Sequence, residues 1–318
     1  MESLKQGIIK TSQNSVQAPY TILLVGETGV GKSAFLEFIA NVLIGNNLDC
    51  YDFGILNRSN ERNGPTNQGG TTSARFYEFT SKNGVVVSKD ILNVEVCVTL
   101  PKVRILDTPG LPDIRSIEQD ELHKKSIATE IEKHIDSVTA VLIFTNGTVQ
   151  RLTRGADYAF STLAAMFPQS LADNTAFVFT RVPSPLSWNY SEDTIPEVLR
   201  DAIQFHLENP VARQKKYLEL KSDSTKKKKV RAERRKEVQA SEDMALEMLV
   251  NLFDWLDSRV PQPTTEIVYL YSMSRGIETK ITNTLALMDQ AATKKARIDE
   301  LMVALRDNSK VSSSPCSY

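Results

Sequence analysis

The residues with the clearest chemistry are Gly26-Glu27-Thr28-Gly29-Val30-Gly31-Lys32-Ser33, which fit the pattern G-x-x-x-x-G-K-[ST] without departure. Three glycines at that spacing let a backbone wrap a polyphosphate where a Cβ would collide. The amides from Gly29 to Ser33 then converge on the start of a helix, where partial positive charge favours an anion. Lys32 is expected to bridge the β- and γ-phosphates, and the Ser33 hydroxyl, with Ala34 behind it, to face Mg2+. A second motif, Asp107-Thr108-Pro109-Gly110, ends the apolar run Val103-Arg104-Ile105-Leu106. An acid at the C-terminal edge of a buried strand suits Mg2+, directly or through water. Gly110 can offer its amide to a γ-phosphate and change conformation when that phosphate leaves.

The two motifs together resemble the G domain of translation-factor-class GTPases. Within that class they look most like the avirulence-induced, immunity-associated (AIG/GIMAP-type) GTPases and related fungal single-domain proteins, and next like septins and chloroplast import GTPases. The resemblance covers about residues 20–275. It implies a P-loop NTPase fold, GTP or GDP as ligand, Mg2+, two switch loops and nucleotide-dependent association, including a homodimer through the nucleotide face. It also places a switch threonine before the second strand, in Gln68-Gly69-Gly70-Thr71-Thr72-Ser73, where Thr71 or Thr72 fits as the cap on γ-phosphate and Mg2+.

For the base, the resemblance calls for [TN]-[KR]-x-[DE] after the fifth strand. Thr180-Arg181-Val182-Pro183 keeps the first two residues and puts a proline where a carboxylate would read the guanine edge. Arg181 could lie along the purine face. Trp188 and Tyr190 read first as packing residues and second as base stackers. Ser272 stands after the expected last strand, where a base-contacting loop belongs. The glutamine that orients water after the D-x-x-G glycine in small GTPases is here Leu111, so turnover is expected to be slow unless a partner or second copy supplies a polar group. Arg58, Arg62 and Arg115 lie in or beside the expected switches and read first as solvated loop residues and second as arginine fingers acting in trans. A slow GTPase, a nucleotide-binding scaffold without useful turnover and an ATPase all stay open.

Holding these residues in place requires strands alternating with helices. Tyr20–Val25 is a continuous apolar run, as a buried parallel strand should be. Residues 75–80 and 85–87 read as a hairpin closed by Lys82-Asn83-Gly84, with Val94–Val98 as a further edge strand. Strands at 102–106, 137–144, 175–180 and Glu266–Tyr271 follow, with helices over 34–44, 119–135, 155–167 and 195–208. The pattern predicts an α/β fold: a doubly wound, mainly parallel sheet of about six strands flanked by helices, with ligand at the strand C-termini. The expected domains are a tail over 1–18, a G domain over 19–275 with a basic helical insertion at about 209–258, a C-terminal helix over 276–306 and a tail over 307–318. Residues 240–256 read as an amphipathic helix capped by Ser241, its stripe packed on the sheet. The last helix carries apolar residues at Ile281, Leu285, Met288, Ala292, Ile298, Met302 and Leu305, which suit packing on the domain and pairing with another copy equally well.

The chain of 318 residues has a net charge of −1, which argues against a globally nucleic-acid-binding surface. Cys50, Cys97 and Cys316 show no C-x-x-C spacing, which points to a reducing compartment and no zinc site. His123, His134 and His206 lack metal-ligand spacing and read as surface or helix-face residues. No stretch approaches the ~20 apolar residues of a membrane span, and no signal-peptide core is present at the start. A cytoplasmic protein is the expectation. Lys226–Lys229, Arg231, Arg234, Arg235 and Lys236 form a like-charged run within 213–236. Such a run reads first as a solvated face, second as a site for anionic lipid and last as a nucleic-acid contact.

Overall fold

The computed structural model describes residues 19–56, 73–79, 85–89, 94–98, 102–110, 117–150, 167–191, 195, 197–222 and 228–312. In chain order the strands are β1 (Tyr20–Gly26), β2 (Arg75–Phe79), β3 (Val85–Lys89), β4 (Val94–Val98), β5 (Val103–Asp107), β6 (Ser137–Val138), β7 (Ala140–Asn146), β8 (Thr175–Thr180), β9 (Ile203–Leu207) and β10 (Gln262–Pro263). The helices are α1 (Lys32–Leu43), α2 (Ile117–His134), α3 (Pro210–Ser222), α4 (Lys228–Asp257) and α5 (Thr265–Ser312). Six strands form one sheet in the order β2-β5-β1-β7-β8-β9, parallel except for β2. This is the doubly wound α/β architecture expected from the motifs.

The central strands β1, β7 and β8 are largely apolar and buried, as strands covered on both faces should be. Ile22, Leu24, Val103, Ile105, Leu142, Phe144, Val178 and Phe205 turn toward α1 and α4, where Phe35, Leu36, Ile39, Met248, Leu249, Leu252 and Leu256 complete one core. The intervening Leu23, Val25, Leu106, Val141, Ile143, Phe177 and Phe179 point the other way and are equally buried. α2 contributes buried Ile127, Ala128 and Ile131, none of which joins the first cluster.

Four readings of the sequence are corrected. β2 does not pair with β3: it lies antiparallel to β5, and β3 pairs with β4 in a separate two-stranded sheet. The register of β2 sets Glu78 opposite Arg104. The Glu78 carboxylate takes Lys102 at 2.6 Å and Arg104 at 2.9 Å, a cross-strand charge pairing that a local hairpin would forgo. The sixth strand is Ile203–Leu207, not a helix over 195–208, and Glu266–Tyr271 is the start of helix α5 rather than a strand. Ser241 is not a cap. It lies inside α4, and its hydroxyl donates to the Glu208 carbonyl at 3.3 Å. The switch threonines and the expected helix over 155–167 lie outside the described residues.

The segment after α1 is held by the α3–α4 hairpin. Gln214 Nε2 donates to Leu48 O at 2.8 Å, Arg235 pairs with Asp49 at 2.8 Å, and the Tyr51 hydroxyl donates to Glu242 Oε1 at 2.9 Å. Glu242 is buried, and the loss of water raises its carboxyl above the usual value of 4.5. A carboxyl raised on folding contributes stability that is complete below its unfolded value and lost as pH rises through the folded one. Glu242→Gln keeps an acceptor for Tyr51 and removes that slope. Calorimetry is expected to show the variant melting level with or below the wild type at pH 4.5 and above it at pH 7.5. An unchanged difference across that range would show that Glu242 does not titrate on unfolding.

The chain divides at Val268/Tyr269 into two compact units. The second unit includes the remainder of α5, on which Ile281, Leu285, Met288, Ile298, Met302 and Leu305 have no packing partner among the described residues of that unit.

Candidate phosphate-binding site

The cradle is built where β1 runs into α1. Gly26, Gly29 and Gly31 take φ of 139°, 80° and 106°, conformations that side chains rarely adopt. Gly26 sits beside Phe144 of β7, and a Cβ there would lie 2.3 Å from the Phe144 carbonyl oxygen. Gly31 is the N-cap of α1, and no acidic residue stands in the first turn, so the helix N-terminus opens into the loop with its positive end unopposed.

Lys32 begins α1 and folds back over the loop. Its buried ammonium donates to Gly26 O at 2.9 Å and to Glu27 O at 3.0 Å. Burial holds it down to about 8, against the opposing pull of Asp107 and Glu27. An anion in the cradle favours the charged form and reverses that depression. Ser33 Oγ donates to Asp107 Oδ2 at 2.9 Å. The parallel register sets Leu24 opposite Asp107, so two groups expected to share a divalent ion meet across a sequence separation of 74. This hydroxyl–carboxylate pair, beside a desolvated cation and an open helix N-terminus, is the donor set that Mg2+ with a phosphate chain requires.

The second motif closes on the first. The Thr108 hydroxyl donates to Leu24 O at 2.7 Å, which anchors the turn after β5. Gly110 is buried against the cradle, where an added Cβ would fall 2.3 Å from Thr28 N and 2.4 Å from Thr28 Cα. Glu27 and Thr28 therefore form the outer wall, and Ala34 follows Ser33 into α1. Leu111, Arg58, Arg62, Arg115, Thr71 and Thr72 lie outside the described residues.

On the base side, Thr180 works as a brace. Its hydroxyl reaches Val30 O at 2.7 Å and Thr145 O at 3.2 Å, tying the loop to β7 and β8. Arg181 takes φ of 63° and donates from Nη2 to Gly29 O at 3.2 Å, so its exposed guanidinium lies over the cradle. A positive φ in a residue with a side chain costs about 1 kcal/mol and marks a position held for a purpose. Trp188 and Tyr190 pack with Phe179, at ring distances of 5.5 and 4.9 Å, so both are core-side aromatics. The His206 ring lies 5.1 Å from Trp188, and burial lowers its basicity.

Ser272 is withdrawn from the site. Its position rested on a strand over 266–271; that segment is helical, and its hydroxyl donates to Tyr269 O one turn back. The residues at the end of the true last strand are Glu208 and Asn209. Thr180 of β8 faces Leu207 of β9, and Val182 N donates to Leu207 O at 3.4 Å, which sets Arg181–Pro183 beside Glu208–Asn209. Asn209 Oδ1 accepts from Val211 N at 2.9 Å and starts α3, while its buried Nδ2 has no hydrogen-bond partner among the described residues. The signal in the sequence was the pair Asn209-Pro210: proline favours the first helical position, and asparagine the cap before it.

A sequence model of the AIG1 family matches residues 20–245. Among curated proteins, translocase of chloroplast 125 of Physcomitrium patens is 27% identical over 211 residues, which is 60% of this chain and 15% of that protein's length. Among solved structures, Toc33 of Arabidopsis thaliana in complex with Mg2+ and GMPPNP is 14% identical, covering 82% of this chain and 94% of its own at a TM-score of 0.45. A dimerization-deficient Toc33 mutant is 16% identical, covering 77% and 91% at a TM-score of 0.42. The family match takes in most of the chain, including the cradle, the Asp107 turn and the brace at Thr180, and the chain belongs to the AIG1 family.

Proposed function

We propose that this protein is a guanine-nucleotide-binding switch that hydrolyses GTP slowly and associates with a partner or a second copy according to the bound nucleotide. The observation that carries the reading is the contact between Ser33 and Asp107 at the mouth of the glycine cradle. Mg2+ supplies charge neutralisation to the β- and γ-phosphates when bound. Ser33 and Asp107 would hold it, with Thr71 or Thr72 as the further ligand the family resemblance implies. Lys32 would bind the phosphate chain and Gly110 would sense its last group.

Guanine is supported by family membership and by a polar end to β9. Pro183 offers no carboxylate, which leaves Arg181 for the ring face and Asn209 for the ring edge. Slow turnover is supported by Leu111, an apolar residue at the water-positioning place. The same residue supports the second reading, a scaffold that holds nucleotide without useful turnover. A cytoplasmic setting belongs to this proposal and is supported by cysteine usage alone, Cys50 being a free exposed thiol.

Calorimetric titration with GTP, GDP and ATP, each with and without Mg2+, tests the assignment. GTP is expected to bind with Mg2+ and ATP at least about tenfold more weakly, since a site built around polar edge contacts rejects the wrong base. Asn209→Ala is expected to narrow that gap. Equal GTP and ATP affinities in the wild type would replace the guanine reading with the adenine one. Phosphate release under single-turnover conditions separates the slow enzyme from the scaffold.

A further inference from the structure

The α3–α4 hairpin concentrates charge in a way that the nucleotide site does not use. Residues 213–237 hold twelve Lys or Arg against four acidic side chains, a net +8 in a chain whose total is −1. Among these cations, Arg213 pairs with Glu208, Arg234 with Glu237 and Arg235 with Asp49. Lys215, Lys216, Lys229 and Lys236 are exposed and have no acidic partner among the described residues. Glutamates stand at i+4 from two of these lysines, Glu219 from Lys215 and Glu233 from Lys229, yet the segment keeps its net +8.

The placement is costly as well as dense. α4 has no acidic residue in its first turn, and Lys228, Lys229 and Arg231 stand there instead. Cations at a helix N-terminus oppose the macrodipole, so an external anion at this end of the hairpin would offset a cost the fold itself leaves standing. Apolar side chains are interleaved with the lysines: Leu218 of α3 is 38% and Val230, near the start of α4, 41% exposed. The hairpin's aromatic residues are turned inward, with Tyr217 and Trp255 packed on the core. A single-stranded nucleic-acid surface needs aromatic faces for stacking. A mixture of free ammonium groups and aliphatic side chains, by contrast, suits the charged interface of a bilayer.

We propose that the α3–α4 hairpin docks the protein on anionic phospholipid membranes, with Lys215, Lys216, Lys229 and Lys236 at the headgroups and Leu218 and Val230 at the acyl boundary. The surface lies on helices outside the cradle, so docking leaves Lys32, Ser33 and Asp107 free to hold nucleotide. The contact is peripheral; no helix among the described residues is long and apolar enough to cross a membrane.

The test is cosedimentation of the full chain with vesicles of phosphatidylcholine alone and of phosphatidylcholine with 30% phosphatidylserine. Binding is expected to the anionic vesicles and not to the neutral ones, and to fall about tenfold or more between low salt and several hundred millimolar. The variant Lys215→Glu, Lys216→Glu, Lys229→Glu and Lys236→Glu is expected to lose at least about tenfold in partition while keeping the wild-type melting temperature and nucleotide affinity. Leu218→Ser with Val230→Ser is expected to weaken what binding survives at high salt. Equal partition onto both vesicle types would overturn the proposal, as would no partition at all. Retention of a single-stranded RNA oligonucleotide together with absent vesicle binding would overturn it in favour of nucleic acid.

Discussion

Lys32→Ala is expected to remove measurable nucleotide binding while leaving the fold in place. The ammonium is the one cation inside the described part of the cradle, and it is already dehydrated: burial has brought it down to about 8. A cation stripped of water at the point where a phosphate chain would lie has little left to lose on contact, so its attraction is realised almost in full. Charge-assisted hydrogen bonds of this kind are worth about 3 kcal/mol, or about two orders of magnitude in affinity. The cost to the fold is smaller. Gly26 O and Glu27 O lose a donor, roughly 1–3 kcal/mol if they stay dry, but both belong to a loop that water can enter once the side chain is gone. Alanine also has high intrinsic helix propensity, so the start of α1 tolerates it. The expected pair of results is a calorimetric titration with no heat of binding and a melting curve within a few degrees of the wild type. Wild-type affinity in Lys32→Ala would remove the phosphate-loop assignment, and with it the proposed function.

Legibility in the sequence followed the range of the forces involved. The cradle was readable because its geometry is local: three glycines, a lysine and a helix start within eight positions. The meeting of Ser33 with Asp107 was readable only through the motifs. Its physical cause is the register of β1 on β5, and nothing within either strand specifies that. The last strand was misplaced for a related reason. Glu266-Ile267-Val268-Tyr269-Leu270-Tyr271 carries the β-branched and aromatic residues a strand favours, yet the sheet edge it would need is filled by β9, and Ile267 is buried instead in the first turn of a helix. Ile203-Gln204-Phe205-His206-Leu207 shows the period of two of a strand: Phe205 and Leu207 face the core, Ile203 at the strand's start is exposed, and the next residues cap a helix. That single exchange carried the base-contacting position from Ser272 to Asn209. The hairpin over 75–87 failed on a different balance. A two-residue turn signal is worth little against the β5 edge, where Glu78 finds both Lys102 and Arg104.

Gly110→Ala should uncouple the second motif from the first, and three glycine substitutions compared side by side show why it is the informative one. At Gly29 the obstacle is conformational only: φ is 80° and nothing lies within 4 Å of an added Cβ. Strain of about 1 kcal/mol is the expected penalty there, less than tenfold in affinity. At Gly26 a Cβ would stand 2.3 Å from Phe144 O, at the C-terminal end of the β1–β7 ladder, so the damage falls on the sheet and should appear first as a lowered melting transition. At Gly110 the clash is with the phosphate loop itself, 2.3 Å from Thr28 N and 2.4 Å from Thr28 Cα. Neither side can yield freely. Thr108 fastens the turn to Leu24 O, while Lys32 and Thr180 hold the loop through Gly26 O, Glu27 O and Val30 O. Relief has to come from swinging residue 110 away from Thr28, which withdraws its amide from the place where a γ-phosphate would be sensed. The expected phenotype is therefore selective. The melting temperature stays within a few degrees of the wild type, and GDP affinity falls by less than about tenfold. Affinity for a non-hydrolysable GTP analogue falls about a hundredfold, the share of one lost charge-assisted hydrogen bond together with the strain. If GDP and the analogue weakened equally, Gly110 would be a spacer for the loop and not the element that distinguishes a triphosphate from a diphosphate.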